Sequence, residues 1–534
     1  MQSTIRERRQ KVAECMANKT SPRIVDIAEA TGLKKSSVHR HQQGIKRSAQ
    51  YEESSFWDTA AGSAWIVRLV VAVVYHFGIQ EGIGAESLSR FFKAIRLETH
   101  VGISPSALRS FKRRLHERIA AYAAAQSEYC KPSAGQGICV GADETFFEVP
   151  ILVLIELASG FIFTEVKSAT RTYQSWIAAI QSWWQQSQWD CHYLVSDGAR
   201  ALVKLAVSGL GCVSVPDLFH AMRALGRPLG KRLAQSLSQA QKQADTLSAQ
   251  LAKTADTAKR QSLRTQLAAA LEQQQQAQHN QQTYHQALET LSTCMHPFTL
   301  TCAQWQLGEA LTTALAAPLA VLADLAPAHH RKPVDQAIAT FQAQIPAFAQ
   351  GIHAWWQWVT QVLAVETADV DTQNWVLTAM LPWVYWSQQA DKTRQPQLKQ
   401  HYQTAASGAF DALMAHPYTR QADDLEQTRW RRWCLWISTK YQRTSSAVEG
   451  RNGYLAQRHQ VTRGFSEQSL KTLTTIHNFD LKRPDGTTAA QRLFGHPFPD
   501  LFEWVLSHTT DVPSPRKSTK AHNPESLHAV PFPA

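Results

Sequence analysis

The spacing of apolar positions changes near residue 137, where helical periodicity gives way to short runs typical of strands. The stretch GICVGADETFFEVPILVLIELASGFIFTEVKSATR holds three apolar, β-branched and aromatic runs, separated at 149–150 and at 159–160. These runs predict three consecutive strands in a meander. An amphipathic helix at about 171–187 follows, and CHYLVS, GARALVKLAVSG and CVSVP then predict a strand, a helix and a fifth short strand. The predicted order across 131–230 is β-β-β-α-β-α-β.

Residues 231–440 have the periodicity of helices instead. The segment 231–296 contains neither Gly nor Pro, and apolar or small residues recur there in alternating steps of four and three. This spacing predicts a coiled coil with a break near 258–263. A helical hairpin with TADTAKR near its tip fits the break, and so does one bent helix. The Ala/Leu/Gln-rich composition also permits a low-complexity segment, but the apolar seam favours helix.

The segment 297–440 is also predicted to be helical, and it is rich in tryptophan. Nine of the seventeen Trp residues lie between 355 and 436. Such aromatic residues belong more often to a core than to a surface that stacks on nucleic-acid bases. We therefore expect 231–440 to be an all-α insertion with an aromatic core.

The first fifty residues predict two short helices around a tight turn. In SPRIVDIAEATGLKKSSVHRHQQGIKR, Ile27 and Ala28 face inward on the first helix. Gly32 supplies the turn, Leu33 fills the gap, and Val38 packs from the second helix. This pattern resembles the helix-turn-helix of repressors and transposases. An ordinary helical hairpin with a solvated basic face is the alternative.

The resemblance implies that the second helix faces a DNA groove. The side chains that it would direct there are polar or basic: Lys34, Lys35, Ser36, Ser37, His39 and Arg40. The segment 51–130 is predicted to be helical, and it serves either as a connector or as a second DNA-binding region.

Charge supports a polyanionic partner. The 534-residue chain has 55 Lys and Arg against 43 Asp and Glu, which gives a net charge of +12. The excess is concentrated at the start, where residues 1–50 hold eleven basic and four acidic side chains. Double-stranded DNA is the partner that this charge and the N-terminal pattern favour together.

Cysteine spacing and hydropathy bear on the cellular compartment and on membrane association. The eight cysteines include no CxxC pair, which favours free thiols in a reducing compartment over disulfides or zinc. The apolar stretch WIVRLVVAVVYHFGI at 65–79 is too short to span a membrane and contains Arg68, so it predicts a buried helix. We therefore expect a cytoplasmic protein without a membrane partner.

Three carboxylates occupy informative places. Asp143 closes the first predicted strand in CVGADET, and Asp197 follows the fourth in YLVSDGAR. Glu449 lies in TSSAVEGRNGYL, within a predicted helix after the fifth strand. Structural alternatives exist for each: a turn-bonding Asp143, with Glu144 or Glu148 in its place, an N-cap at Asp197, or a solvated acid at 449.

Order and local motifs together resemble the Asp-Asp-Glu (DDE) transposases of the RNase H fold. SSAVEGRN is similar to the Ser/Thr-rich E-x-x-N signature around the last acid of Mutator-like transposases and their bacterial insertion-sequence relatives. In VPDLFHAMR, Asp217 and His220 match the C/D-x-x-H motif that those families place after the fifth strand. The implied fold class is α+β/α: an RNase H-like core split by a large all-α insertion, with an N-terminal helix-turn-helix. The core would comprise 131–230 and the helix at 441–482.

The resemblance also implies the site's chemistry. In such a fold the first and fourth strands are parallel neighbours, so Asp143 and Asp197 would approach each other and Glu449 would join them. The three acids would bind Mg²⁺, with Mn²⁺ as a possible substitute, for a two-metal phosphoryl transfer. His220 would be catalytic or a satisfied structural histidine. Arg451 and Asn452 would contact DNA phosphate, brace Glu449 or face water.

These expectations define a function and its alternatives. A transposase would bind the terminal inverted repeats of a mobile element, cleave and join DNA strands, and act as a homodimer or higher oligomer, associated with a bacterial nucleoid. A DNA-binding regulator, an inactivated transposase or an RNase H-like nuclease are the competing possibilities. The segment 483–534 ends in a Pro- and Ser-rich tail, predicted to be disordered beyond about residue 509.

Overall fold

The computed structural model describes residues 5–18, 22–48, 53–133, 136–185, 188–301, 304–306, 308–462 and 464–515. The chain divides into two units. The sheet unit comprises Pro132–Gly453, and the terminal unit combines Met1–Lys131 with Tyr454–Ala534. Helices predominate in both units, and the described residues contain one five-stranded sheet.

The sheet is built from the apolar runs that follow residue 136. Its strands are β1 Gly137–Phe146, β2 Pro150–Glu156, β3 Ile162–Lys167, β4 Asp190–Ser196 and β5 Val213–Pro216. The intervening helices are Tyr173–Trp184 and Arg200–Lys204, the latter continuing as the π-helix Leu205–Leu210. The predicted β-β-β-α-β-α-β order is confirmed.

The strands are arranged in the order β3-β2-β1-β4-β5. β1 pairs antiparallel with β2, and β2 pairs antiparallel with β3. β4 is parallel to β1 and to β5. The sheet is therefore mixed, with a meander on one side and parallel strands on the other. β2 and the first half of β1 are almost wholly buried, which explains their continuous apolar runs.

Helices pack on this sheet through aromatic and small side chains. Trp183 of helix Tyr173–Trp184 stacks on Phe163 of β3, with ring centroids 4.4 Å apart. Trp358 of helix Arg331–Glu366 stacks on His192 of β4 at 4.1 Å. The insertion thus contributes part of the core around β4.

Two long helices follow β5. They are Leu218–Lys253 and Thr257–Cys294, and Asp256 caps the second by accepting a hydrogen bond from the Lys259 N–H. The Tyr284 hydroxyl donates to the Gly226 carbonyl at 3.0 Å, which joins the two helices. Of the two possibilities left open by the sequence, the chain adopts the hairpin. Buried side chains on the second helix recur every seven residues: Leu263, Ala270, Ala277, Tyr284 and Leu291.

The rest of the insertion is helical, as predicted. Its helices are Gly308–Asp324, Arg331–Glu366, Val370–Trp375 (continued by the π-helix Val376–Met380), Leu381–Lys392, Pro396–Ala415 and Asp424–Thr439. Short 3₁₀ turns occur at Ala328–His330 and Pro417–Arg420. Five tryptophans of this region are fully buried, which confirms their core role: Trp355, Trp358, Trp375, Trp386 and Trp430.

Three helices form the start of the terminal unit: Ile5–Ala17, Ile24–Thr31 and Lys35–Ser48. Val12, Ile27 and Val38 form their core, with Ala28 and Leu33 packed against it. Gly32 adopts a left-handed conformation with φ of 67°, which ends the second helix at little cost for a glycine. The predicted turn and inward-facing residues are confirmed.

The remaining helices of the terminal unit come from both ends of the chain. They are Ser54–Trp57, Ala60–Ala72 with the π-helix Val73–Gln80, Ala85–Ala94, Pro105–Gln126, Glu467–Phe479, Ala489–Phe494 and Leu501–Ser507, with a 3₁₀ turn at Ser127–Tyr129. Helix Ser446–Thr462 contains the boundary between the units. Ala60–Gln80 is long and apolar enough to cross a membrane, but half of its apolar window is buried in the protein. Gly308–Asp324 and Ala328–Glu366 together are also long and apolar enough, but the pair is bent by 113°. The described helices therefore include no clear membrane span.

The tail remains packed further than its composition predicts. Thr509 and Val512 are buried, and the Gly102 N–H donates to the Pro513 carbonyl at 2.6 Å. The expected onset of disorder at about 509 is therefore wrong for this stretch, because Val512 finds an apolar site within the terminal unit. The prediction for 516–534 lies outside the described residues.

Candidate active site

The parallel pairing of β1 and β4 sets two acids side by side. The register pairs Val140 with Leu194 and Gly141 with Val195. Continuing that register for two residues on each strand brings Asp143 level with Asp197. Asp197 directly follows β4, as predicted, but Asp143 does not close β1, because pairing with β2 continues the strand to Phe146. The parallel register still sets the two acids side by side.

Asp197 lies in a tight turn and not at a helix N-cap. Its Oδ1 accepts a hydrogen bond from the Ala199 N–H at 2.8 Å, and the following helix begins at Arg200. Gly198, with φ of 84°, gives the turn its left-handed residue. The Asp197 side chain is exposed at the end of β4. Its hydrogen bond leaves the second carboxylate oxygen available to a ligand.

A glycine in β1 lets the third acid approach. A Cβ on Gly141 would lie 2.7 Å from Leu157 Cδ2 and 3.0 Å from Val448 Cγ2, so a larger residue would displace Leu157 and crowd Val448. Val448 is fully buried in helix Ser446–Thr462, which we call the Glu449 helix. Glu449 is the next residue, and so the close contact at Gly141 carries its carboxylate toward the strand that contains Asp143.

Asp217 anchors the start of the Glu449 helix. Its Oδ1 caps helix Leu218–Lys253 through the His220 N–H at 3.0 Å. Its Oδ2 accepts hydrogen bonds from the Ser445 N–H, at 2.6 Å, and from the Ser445 hydroxyl. A single buried carboxylate thus joins the end of β5 to the residue that precedes the Glu449 helix.

His220 connects that anchor to Glu449. Its Nε2 lies 3.1 Å from Glu449 Oε1, and its Nδ1 lies 3.4 Å from Asp217 Oδ1. About a third of each side chain is exposed for His220 and Glu449. Nδ1 of His220 has no hydrogen-bond partner among the described residues, so Asp217 does not fix the ring, and His220 can act on Glu449 only through the close approach of Nε2.

Asn452 and Arg451 hold the Glu449 helix from two other directions. Asn452, three residues after Glu449 and hence on the same helix face, donates from Nδ2 to Asp143 Oδ2 at 2.9 Å. Arg451 makes a two-pronged ion pair with Glu165 of β3 at 2.6 and 2.7 Å. That pair is almost completely buried, with 3% of the Arg451 side chain and none of the Glu165 side chain exposed.

These contacts correct two assignments. The expected DNA contact by Arg451 is inconsistent with its burial, because the guanidinium is committed to Glu165 inside the protein. Asn452 faces Asp143, so it is better described as a residue that positions a carboxylate. The sequence analysis had included bracing among the possible roles of both.

The charges of the three acids act on one another. Burial, with smaller contributions from the negative charges of Glu144, Asp197 and Glu449, raises the pKa of Asp143 to about 6. A backbone hydrogen bond at Glu144 opposes the rise only in part. Residues separated by more than 300 positions therefore share one electrostatic environment. An uncompensated cluster of this kind is common at functional sites.

The two neighbouring glutamates differ in environment. Burial raises the pKa of Glu144, and the charge of Asp197 adds to the rise, whereas Arg171 opposes it from 3.1 Å. Glu148 lies beyond the end of β1 and is exposed. Glu144 is thus paired with a cation and Glu148 is outside the strand, so Asp143 remains the better candidate on β1.

The donor chemistry suits a hard cation, but the spacing is open. Carboxylate oxygens are the ligands that Mg²⁺ prefers, and Oδ1 of Asn452 is buried without a hydrogen-bond partner among the described residues. Within the part of the chain that the structure describes, no group of three or more His, Cys, Asp or Glu side chains is close enough to hold one metal ion. The acids converge, but in this conformation they do not close around an ion.

The N-terminal candidates lie in the other unit and mostly face solvent. Lys34, Lys35, Ser36, His39 and Arg40 are exposed, and Ser37 is half-buried. Because Val38 between them is completely buried, the helix has one face in the core and one face in solvent. This is the distribution expected for a helix that could enter a groove, and equally for a solvated basic helix.

Two contributors were missed from the sequence. Glu165 belongs to no motif, and Ser445 lies in the Ser/Thr-rich part of SSAVEGRN without having been given a role; their contacts with Arg451 and Asp217 supply one. A glutamate inside the apolar strand FIFTEVK was a signal for the first, because a buried strand acid needs a partner. For Ser445 the signal was its place in SSAVEGRN, which did not identify Asp217 as its partner.

Comparison with known proteins adds one finding. DUF6399, described as a family of unknown function, matches residues 376–521, which include the Glu449 helix. No curated protein and no solved structure matches the chain.

Proposed function

We propose that this protein is a transposase of the Asp-Asp-Glu type with an RNase H-like core. The observation that carries the proposal is that Asn452 of the Glu449 helix bonds Asp143, which the strand register sets beside Asp197. Burial and the charges of Glu144, Asp197 and Glu449 raise the pKa of Asp143, in agreement with this placement. The strand order β3-β2-β1-β4-β5, with β1 and β4 parallel, also supports the proposed RNase H-like core. So does the long helical insertion between β5 and the Glu449 helix.

Each residue of the proposed site has a distinct task. Asp143, Asp197 and Glu449 would hold Mg²⁺, which Mn²⁺ could replace, and the bound ions would activate the attacking oxygen and stabilise the leaving one. Asn452 fixes one oxygen of Asp143, and His220 orients Glu449. Removing these positioning contacts should lower turnover more than it lowers DNA affinity.

The DNA partner would be bound through the N-terminal helices. The exposed basic side chains of helix Lys35–Ser48, together with Lys34, would contact the terminal inverted repeats of the element. Replacing Lys34 and Lys35 by alanine should weaken binding at all sequences and reduce the log–log salt slope by about 1.8, since each phosphate contact contributes about 0.9. An unchanged slope would remove this helix from the DNA-binding surface.

A cleavage assay tests the proposal directly. Linear DNA carrying the segments that flank the gene would be incubated with protein and Mg²⁺, and nicked and joined products would be separated. Asp143→Asn, Asp197→Asn and Glu449→Gln should each abolish cleavage while retaining DNA binding. Glu148→Gln is the matched control, because this exposed acid lies just beyond β1. Normal cleavage by all three acid variants would refute the site.

A non-catalytic DNA-binding regulator is the second candidate. It is favoured by the open spacing of the acids, since no three metal-ligating side chains among the described residues are close enough to bind one ion. The same assay separates the candidates. Binding to flanking DNA without cleavage in Mg²⁺ or Mn²⁺, by the unaltered protein, would support the regulator.

We also propose that the protein acts as a homodimer or higher oligomer. Two DNA ends must be brought together before strands are joined, and the hairpin formed by Leu218–Lys253 and Thr257–Cys294 offers a long helical surface for this contact. Sedimentation with and without end DNA tests it. A monomer under both conditions would contradict the proposal.

A further inference from the structure

A cavity of about 270 Å³ in the terminal unit has a basic wall. Lys112, His116 and Arg458 line it, together with the hydroxyl-bearing Ser466 and Ser469. The described lining contains no Asp or Glu. A water molecule occupies about 30 Å³ in the liquid, so the cavity has room for a small polyatomic ion. Ser466 is exposed, so the cavity reaches the surface.

Arg458 has donors that the protein does not use. Arg458 is only 6% exposed, and its Nη2 donates to the Ile79 carbonyl at 2.6 Å. Neither Nε nor Nη1 has a hydrogen-bond partner among the described residues. Burial lowers the pKa of Arg458, with Tyr454 and Glu81 opposing the change. A buried guanidinium with unpaired N–H groups is costly unless an acceptor arrives.

Lys112 adds a second cation to the same wall. Its Nζ donates to the Gly78 carbonyl at 2.6 Å, and burial, followed by the charge of Arg458, lowers its pKa. The neighbouring His116 is held neutral near pH 7, because burial and the charges of Lys112 and Arg458 lower its pKa to about 4. Burial is the main cause of all three shifts, and positive charge adds to it for Lys112 and His116 but not for Arg458.

A helix N-terminus completes the wall. Helix Glu467–Phe479 has thirteen residues, and Ser466 caps it by accepting a hydrogen bond from the Ser469 N–H at 3.1 Å. The first turn of such a helix presents partial positive charge. Lys112, Arg458 and this helix end thus bring three sources of positive potential to one cavity.

A purely structural explanation covers only part of this arrangement. Gly78 and Ile79 lie near the end of the π-helix Val73–Gln80, where cations commonly satisfy unpaired carbonyls. That role uses one donor of Lys112 and one of Arg458. It leaves Nε and Nη1 of Arg458 buried without a hydrogen-bond partner among the described residues, with Nη1 close to Gly82.

We propose that this cavity binds a phosphate group, held by Arg458, Lys112 and the N-terminus of helix Glu467–Phe479. The inference goes beyond the proposed function and does not depend on it, since every residue involved belongs to the terminal unit. The phosphate could come from a DNA backbone or from free phosphate in solution. Both sources present the same oxygens to the same donors.

The decisive variant places a carboxylate in the cavity. Ser469 is half-buried in the first turn of the helix, so Ser469→Asp would put a negative charge where the phosphate is expected. Ser469→Asn is the matched neutral control and loses the same hydroxyl. We expect Ser469→Asp to melt at a higher temperature than Ser469→Asn without phosphate. It should bind inorganic phosphate at least about tenfold more weakly, as one charge-assisted hydrogen bond is worth about that much.

Thermal melting and calorimetry of the full chain provide the readout. Inorganic phosphate should raise the melting temperature of the unaltered protein and of Ser469→Asn saturably, beyond chloride at equal ionic strength. Arg458→Gln should lose this response, and the Ser469 pair keeps the test valid if that variant folds poorly. The proposal is overturned if phosphate has no effect beyond chloride, or if Ser469→Asp is no more stable than Ser469→Asn.

A second arm identifies the source of the phosphate. A DNA duplex without terminal phosphates would be titrated at several salt concentrations. If the site holds a backbone phosphate, the log–log salt slope for Ser469→Asp should be lower by about 0.9 than for Ser469→Asn. If the site holds free phosphate, the two variants should bind the duplex equally, while only Ser469→Asn responds to inorganic phosphate.

Discussion

Replacing Arg451 by alanine tests whether this residue is structural or binds DNA. Its guanidinium forms two short hydrogen bonds to Glu165, and both side chains are almost completely excluded from solvent. Removing one partner of such a pair strands a buried charge, which typically costs about 3–5 kcal/mol. We therefore expect Arg451→Ala to destabilise the contact between the Glu449 helix and β3 by about this amount.

Hydrogen exchange is the suitable assay, because a chain with two compact units is not expected to unfold in a single two-state step. Amides of β3 and of residues 446–453 should lose protection in Arg451→Ala, whereas the N-terminal helices should not change. Replacing both Arg451 and Glu165 by methionine is the control. It removes the stranded charge, so most of the protection should return.

The opposite pattern would refute the reasoning. If Arg451→Ala keeps its protection in β3 but binds DNA more weakly with a shallower salt dependence, then Arg451 contacts phosphate. In that case the bracing role assigned here would be wrong, and the residue would return to the DNA-binding surface that the sequence first suggested for it.

Three further changes have calculable outcomes. Because the pKa of Asp143 is raised to about 6, ionising this carboxyl should destabilise the metal-free protein as pH rises from about 4 to 6. The loss is at most about 3 kcal/mol, and solvent screening reduces it. Asp143→Asn should remove the loss, which denaturation at pH 4 and pH 7 would measure. Lys440→Met should destabilise the protein at pH 7 by about 3–5 kcal/mol, since Glu156 is completely buried 3.4 Å away. Although burial raises the pKa of Glu156, Lys440 and backbone donors lower it overall, so the difference should shrink below about pH 4, as acid titrations of both proteins would reveal. Tyr284→Phe should cost the helical hairpin about 1 kcal/mol by removing the bond to Gly226, measurable by thermal melting.

Local patterns were sufficient for the elements but not for their contacts. The continuous apolar runs of β1 and β2 and the seven-residue recurrence after Leu263 follow from short-range rules. The contact of Val448 with Gly141 does not, because it joins segments about 300 residues apart. A single glycine in a strand indicates that something approaches closely, but it does not identify the partner.

The reversal at Arg451 has the same origin. A basic residue beside a candidate catalytic acid suggests a phosphate contact, and the helical spacing from Glu449 to Arg451 only excludes a shared face. The partner of Arg451 on its own helix face is Glu165 of β3, which lies 286 residues away in the sequence. Side-chain roles in this site were therefore less predictable than the order of its strands.

The energetics explain how the Glu449 helix can be so distant in sequence from the sheet. The Asp217–Ser445 contact spans 228 residues. Compared with a ten-residue connection, closing a flexible loop of that length costs about 3 kcal/mol more, because the cost rises only as the logarithm of length. Two hydrogen bonds from Ser445 to the buried Asp217 carboxylate, worth about 1.5–3 kcal/mol each, are sufficient to offset it. The insertion also packs around buried tryptophans and against β4 through Trp358, so the effective loop is shorter than 228 residues. Replacing Asp217 by alanine should therefore free the start of the Glu449 helix at Ser445, measurable as lost amide protection there, while the Arg451–Glu165 and Asn452–Asp143 contacts keep the rest of the helix in place.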